Sequence, residues 1–306
     1  MTVGTMELRQ IRYFLKLAEL LNFSEASKAL FITQSTLSQQ IRQLEQEFDT
    51  VLFDRNSHGV SLTEAGKHLR RYARCVVNDA DECVQKMEDL KNMLAGELNI
   101  GATFSFSPLL TETVLEFMKL FLNVRLNVYY KTMGELMDML QQREVDFVLA
   151  FKPTAMNDKI ESHVLFDNRL SVVVSDTHPL ASRKSITVDE LMLFDLALPA
   201  RGLQARNAFD ETIGMGGQPK VRIELNDVSI LLKLVRQSRL ITVLAEATIH
   251  DEDGLVAIPL ETANDGMEGC IHQLRQAYVK NSAREFYRLL SQSRAILKYS
   301  SLVSLL

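Results

Sequence analysis

Cysteine is scarce in this chain. Three residues in 306, Cys75, Cys83 and Cys270, are too few for a disulfide framework. Cys75 and Cys83 stand two turns apart on one helical pattern, about 12 Å at 1.5 Å per residue, too far for a bridge. Their place on the apolar seam described below reads as packing. Long apolar runs are missing too: no uncharged stretch approaches the roughly 20 residues of a membrane span. No secretory leader precedes the first polar helical pattern, so the expectation is a cytoplasmic protein without a membrane partner. Positive charge is in deficit, 34 Lys+Arg against 39 Asp+Glu, a formal net charge of −5. That weighs against a protein that coats nucleic acid through bulk charge, although a local reading surface stays open.

Catalytic constellations are also absent. The six histidines (His58, His68, His163, His178, His250 and His272) show no metal-ligand spacing with one another or with cysteine. There is no Gly-rich phosphate loop, nucleophile elbow or H-E-x-x-H, and Gly214-Met215-Gly216-Gly217 reads as a helix end and turn. The expectation is therefore no metal, no cofactor and no enzyme. What is present is ordinary globular material, 46% apolar and 24% charged, in a length that suggests about two or three domains.

Helical periodicity begins at Glu7, with Leu8, Ile11, Phe14, Leu15, Ala18 and Leu21 on one face. Ser24 offers a cap for a short second helix holding Ala26, Ala29 and Leu30, and Thr33 caps a third with Leu37, Ile41, Leu44 and Phe48 inside. The connection Phe31 to Thr33 has the length of the turn in a helix-turn-helix. Two extended pieces, Val51 to Asp54 and Gly59 to Leu62, flank the turn formers Asn56-Ser57-His58-Gly59 and predict a wing. Thr63 then caps a long helix to about Leu94. Its seam Leu69, Tyr72, Val76, Ala80, Cys83, Met87, Leu90, Leu94 keeps a near-heptad spacing, which predicts packing on a partner helix.

At Ala95-Gly96 the pattern changes to alternating strands and helices. Strands are expected at Leu98–Ala102, Val124–Tyr130 and Phe147–Phe151, with helices at Pro108–Phe121 and Gly134–Arg143 between them. This βαβαβ order implies parallel strands with covering helices. Further strands are expected at Leu170–Ser175, Leu196–Pro199, Lys220–Leu225, Ile241–Leu244, Leu255–Pro259 and Ile271–Val279. Helices are expected at Thr187–Leu193, Ala205–Gly214 and Val228–Gln237, and Ser282 caps a last one through Tyr299.

The first sixty or so residues resemble the N-terminal domain of LysR-type transcriptional regulators. The likeness lies in Ala18-Glu19, Asn22-Phe23-Ser24-Glu25-Ala26-Ser27, Gln34-Ser35-Thr36-Leu37-Ser38-Gln39-Gln40-Ile41, Leu44-Glu45, Leu52-Phe53-Asp54-Arg55 and Leu62-Thr63-Glu64-Ala65-Gly66. The layout of the whole chain is similar to that family as well. The resemblance implies an α/β fold class with an N-terminal winged helix-turn-helix (1–63), a linker helix for dimerisation (64–95) and a two-lobed C-terminal domain like periplasmic binding proteins (96–306). Lobe one is expected at about 96–165 and 268–306, lobe two at about 166–267, with crossings near Ser162–Asp167 and Asp265–Cys270. The function implied is sequence-specific transcriptional regulation controlled by a small-molecule effector bound between the lobes. Its partners are double-stranded DNA, the effector, and further copies of the chain as a dimer that assembles into tetramers. The alternative is a solute-type binding protein, which would have no use for the first 95 residues.

The residues support a reading head directly. A helix that enters the major groove must offer short polar side chains on one face. Gln34, Ser35, Ser38, Gln39 and Arg42, with Thr36 in the first turn, fall opposite Leu37, Ile41 and Leu44. The family commonly has Pro where Ser35 stands and Arg where Gln39 stands, so this surface is less cationic than usual. Between Met6 and Gly66 the cations are only Arg9, Arg12, Lys16, Lys28, Arg42 and Arg55. Phosphate contact is expected from Arg55 on the wing, with His58 and Thr63 beside it, and from Lys67, Arg70, Arg71 and Arg74 on the following helix.

In the C-terminal half, hydroxyl-rich segments lead into helix N-termini: Thr103-Phe104-Ser105, Thr132-Met133-Gly134 and Asn226-Asp227-Val228. Such ends, with Arg201 as a cation, suit a carboxylate or similar anion. The resemblance implies that these loops line the effector site, with candidates Thr103, Phe104, Ser105, Thr132, Gly134, Arg201 and Val228. Glycines usual in the family are replaced by Ser238 and Leu240 before one second-lobe strand. That lobe has no cysteine, where some relatives sense oxidants through two.

Overall fold

A computed structural model describes residues 6–56, 59–89, 95–153, 157–214, 218–250, 252–262, 266–294 and 296. The chain forms two compact units, Met1–Lys91 and Asn92–Leu306.

The first unit is built from α1 (Leu8–Leu20), α2 (Phe23–Ala29), α3 (Gln34–Glu47), the hairpin β1 (Phe53–Asn56) and β2 (Gly59–Leu62), and α4 (Glu64–Asp89). Its core gathers the inward stripes of the helices, Ile11, Phe14 and Leu17 from α1 and Leu37, Ile41 and Leu44 from α3, against Leu52 and Phe53. The cap of α2 differs from expectation. Asn22, not Ser24, holds it, its side-chain oxygen accepting the amides of Ser24 (2.9 Å) and Glu25 (3.1 Å). An Asn oxygen two residues earlier reaches the free amides of the first turn, and Ser24 is already inside the helix. Thr33 caps α3 as expected, accepting the Thr36 amide at 3.1 Å.

The seam expected on α4 divides in two. Leu69 packs on this unit's own core beside the buried Ala73 and Val77, while Tyr72, Val76, Cys83 and Met87 are exposed. The helix thus spends one face locally and leaves an adjacent apolar stripe open. Leu90 and Leu94, and the wing turn Ser57-His58, lie outside the described residues.

The second unit begins with β3 (Gly96–Ala102), a short 3-10 turn (Phe104–Phe106), α5 (Ser107–Leu120), β4 (Val124–Tyr130), α6 (Met133–Gln141) and β5 (Phe147–Phe151). As the βαβαβ order requires, β3 lies parallel between β4 and β5. The chain then enters β6 (Ile160–Ser175), a 16-residue strand that joins the crossing expected near Ser162–Asp167 to the strand expected at Leu170–Ser175. Its first half pairs antiparallel with β12 (Gly266–Leu274), and its second half with β10 (Thr242–Ala245) and β11 (Leu255–Glu261). One strand therefore serves both lobes. β12 begins and ends earlier than expected, and 263–265, ahead of it, lie outside the described residues. A bulge at Gly269/Cys270 bends β12 where a Cβ on Gly269 would stand 2.6 Å from the Phe166 ring.

Lobe two adds β7 (Ile186–Thr187), α7 (Val188–Leu191), β8 (Asp195–Pro199), α8 (Gln204–Ile213), β9 (Lys220–Leu225) and α9 (Val228–Arg236) around its own core. Helix α7 is a single turn, shorter than the expected Thr187–Leu193, and a capping box between Thr187 and Glu190 fixes its start. The final helix α10 (Asn281–Ser291) starts from Lys280 with no side-chain cap, so the cap expected at Ser282 is not made. The expected extension to Tyr299 and the turn Met215-Gly216-Gly217 lie outside the described residues.

Candidate functional site

The face of α3 is set by its own burial pattern. With Leu37, Ile41 and Leu44 inside, Gln34, Ser35, Thr36, Gln39 and Arg42 are exposed and Ser38 is half-buried. The first turn is preorganised. The Ser24 hydroxyl donates to Gln34 Oε1 at 2.9 Å, which ties α2 to α3 and orients that carboxamide. Thr33 Oγ1 lies 2.9 Å from the Ser35 hydroxyl and 2.8 Å from that of Thr36. Ser35 and Thr36 thus share the capping of their own helix, while Gln39 and Arg42 project one and two turns further on.

In the last turn of this helix, Glu45 organises the wing. Its Oε1 accepts the amides of Leu52 (2.9 Å) and Phe53 (3.2 Å), and its Oε2 faces Arg55 at 3.4 Å. The Thr63 hydroxyl donates to Val51 O at 2.8 Å and accepts the Gly66 amide at 3.0 Å. Two of the residues singled out for phosphate contact, Arg55 and Thr63, therefore also fix the wing. On α4, Lys67 pairs with Glu64 at 2.6 Å, and that carboxyl is held below its ordinary value by the bond. Arg70 and Arg71 are exposed. Sequence reasoning missed Phe31, which is 96% exposed with φ 55° in the turn before α3. A lone turn residue carries no periodicity that would have marked it.

In the second unit the structure brings Thr103, Phe104, Ser105, Thr132 and Val228 to one narrow cleft between the lobes. Gly134 and Arg201 do not line it; Arg201 is exposed on the β8–α8 connection, and Lys131 is the cation at the cleft wall. Thr103 is 7% exposed, and its hydroxyl makes no hydrogen bond. A buried hydroxyl without a partner costs free energy, so this one is suited to a ligand. Thr132 is different. It closes a capping box with Glu135, donating its hydroxyl to Oε2 at 2.7 Å, and those bonds hold the Glu135 carboxyl below its ordinary value. Phe104 reaches across to the core of lobe two and lies 6.3 Å from the Tyr130 ring.

Sequence reasoning also missed two residues at the cleft, Gln204 and Arg206. Gln204 lines it and bonds the main chain of Phe151 in the other lobe. Arg206, 3% exposed, donates to Pro199 O (3.1 Å), Glu224 (2.8 Å) and Asp210 (2.8 Å), fixing the end of β8 beside the cleft. Neither stands in a recognisable motif. Among the described residues no group of His, Cys, Asp and Glu is arranged to hold a metal ion.

Two family descriptions match the chain. Residues 8–67 match the bacterial regulatory helix-turn-helix protein, lysR family, and residues 91–295 match the LysR substrate binding domain. The chain belongs to the LysR-type transcriptional regulators. Among its relatives, the HTH-type transcriptional regulator BsdA of Bacillus subtilis is 26% identical over 93% of this chain and all of its own length. The transcriptional dual regulator GltC of the same organism is 28% identical over 94% of this chain and 97% of its own. Full-length OxyR from Pseudomonas aeruginosa, in a variant form, superposes with a TM-score of 0.72 at 21% identity, covering 97% of this chain and 96% of its own. Full-length CbnR, solved with its target DNA, gives 0.67 at 17% identity over 94% and 99%. Both show the fold: a LysR-type regulator carries its helix-turn-helix ahead of an α/β substrate-binding domain. No helix among the described residues is long and apolar enough to cross a membrane.

Proposed function

We propose that this LysR-type regulator reads a double-stranded operator through α3 and answers to a small molecule held between the lobes of its second unit. The observation that carries the DNA reading is the single exposed polar face of α3, backed by a fully buried apolar one. Gln34, Gln39 and Arg42 are the base-edge candidates, since Gln pairs with adenine and Arg with guanine in the major groove. Ser35, Thr36, Ser38, Arg55 and Thr63 serve position and phosphate contact. The functional division is a reading head at 1–63, a linker helix at 64–95 and an effector domain at 96–306. The open stripe of Tyr72, Val76, Cys83 and Met87 on α4 serves self-association as a dimer, the pair assembling further into a tetramer, in the cytoplasm.

The effector reading is supported by the unpartnered Thr103 hydroxyl at the inter-lobe cleft. Lys131 favours an anionic group there, although it is shared with Glu135 at 3.5 Å. Footprinting on the DNA upstream of the protein's own gene tests the first half. A protected site at moderate salt is expected, and none with or without candidate ligands overturns it. A thermal-shift screen tests the second, with carboxylates expected as stabilisers. A screen that finds only neutral or cationic stabilisers overturns the anionic class.

A further inference from the structure

The inter-lobe cleft is closed. At about 20 Å³ it has room for about one water, whereas sites for metabolite-sized ligands run to about 300–1,000 Å³. The side chain that spans the closure is Gln204, the first residue of α8 in lobe two. Its carboxamide meets the peptide of Phe151, the last residue of β5 in lobe one. The Phe151 amide donates to Gln204 Oε1 at 3.1 Å, and Gln204 Nε2 donates to the Phe151 carbonyl at 2.8 Å. A carboxamide has the donor and acceptor that a peptide unit has, so this side chain pairs with the end of β5 as one more strand residue would.

Its position matters as much as its bonds. Gln204 and Met133 line the narrow cleft on one side and, on the other, a crevice of about 780 Å³ along the same inter-lobe face. The carboxamide is thus part of the wall between a space too small for a ligand and one large enough. Both of its bonds run between lobes, so neither survives a separation of α8 from β5. Two neutral hydrogen bonds are a modest restraint, and water can replace them once the lobes part.

We propose that Gln204 is the positioning residue that latches the lobes across the narrow cleft, and that an effector enters by taking its carboxamide off Phe151. The proposal rests on the effector reading of the cleft. It makes the observed effector affinity depend on how often the latch is open, because a site accessible in a fraction of molecules binds more weakly by that fraction.

The Phe151 amide reports the latch directly, since its bond partner belongs to the other lobe. Site-resolved hydrogen exchange on the full-length protein compares wild type with Gln204→Ala and Gln204→Met. Alanine removes both bonds. Methionine keeps the length of the side chain and offers neither the acceptor for the Phe151 amide nor the donor for its carbonyl. Exchange at Phe151 is expected to quicken on the order of tenfold in both variants, with the rest of β5 and β12 as protected as in wild type. Wild-type exchange at Phe151 in either variant overturns the latch. Loss of protection throughout β5 and β12 also overturns it, because Gln204 would then belong to the fold and not to the closure. The readout needs neither DNA nor effector. If both variants free Phe151 and no compound in the thermal-shift screen stabilises any form, the latch stands and the effector reading of the cleft falls.

Discussion

The guanidinium of Arg55 lies 4.7 Å from the centre of the Phe23 ring, so the wing rests its charged tip on the first residue of α2. The same guanidinium faces Glu45 at 3.4 Å. One cation therefore ties together the wing, α2 and α3, in a stretch, Met6 to Gly66, whose other cations are Arg9, Arg12, Lys16, Lys28 and Arg42. A guanidinium carries five donors, so these contacts leave it able to meet a phosphate.

Arg55→Ala is expected to weaken operator binding about equally across sequences and to lower the salt slope by about 1. Because the stacking on Phe23 is lost as well, the unit should also lose about 0.5–1 kcal/mol of stability. Anisotropy titrations at several salt concentrations check the first effect. An unchanged slope would remove Arg55 from phosphate contact.

Gly66 stands in the first turn of α4, where an added Cβ would meet the Leu52 carbonyl oxygen at 2.2 Å and Leu62 at 2.9 Å. Backbone cannot yield as a flexible side chain can. Gly66→Ala should therefore cost roughly 1–3 kcal/mol or more and disorder the wing. DNA binding should fall sharply while the second unit keeps its ligand response. Native operator affinity in this variant would show that the wing and α4 do not need their present contact.

Arg206→Met keeps an apolar stem in the buried site and removes the fork that holds Pro199, Asp210 and Glu224. Both carboxylates are partly exposed and can return to water, so the cost should be about 1–3 kcal/mol rather than that of a sealed ion pair. Chemical denaturation checks the number. The variant should also alter effector binding more than operator binding, because the released Pro199 carbonyl borders the cleft.

His272 carries a pH dependence. Fully buried, with Nδ1 2.7 Å from the Ser162 hydroxyl and Nε2 3.2 Å from Ala150 O, it is pushed down to about 4 by burial, from an ordinary value of 6.5. In the unfolded chain it takes up a proton near pH 6.5, and in the folded one only near pH 4. Its contribution to stability is thus complete above about pH 6.5 and lost progressively down to about 4, about 3 kcal/mol at most. Urea midpoints across that range should fall more steeply for wild type than for His272→Gln, which does not titrate. Equal slopes would mean that His272 is charged, or accessible, in the fold.

Much of this molecule is legible in its sequence. Helical stripes such as Leu37-Ile41-Leu44 and the alternation of strand and helix from β3 to β5 follow from local periodicity, because each element must bury one face. The polar side of α3 is legible for the same reason. The cap of α2 is not fixed by residue type, because Asn22 and Ser24 are both good cap residues and only the backbone extension at Asn22 selects one. Strand β6 runs unbroken through the crossing expected near Ser162–Asp167, whereas the sequence pattern marks only its Leu170–Ser175 half, because the crossing half lies between lobes and has no single buried face to impose alternation.

By itself the sequence determined the elements, their order, the reading head and the family, since all of these rest on patterns within a few turns of chain. The tertiary structure decided which polar groups meet. The seam of α4 is partly spent on its own core, Arg201 stands away from the cleft, and Gln204 finds a peptide 53 residues back in the chain. A carboxamide pairing with a distant main chain leaves no periodic mark, because its partner is chosen by how the lobes close and not by what lies beside it in sequence.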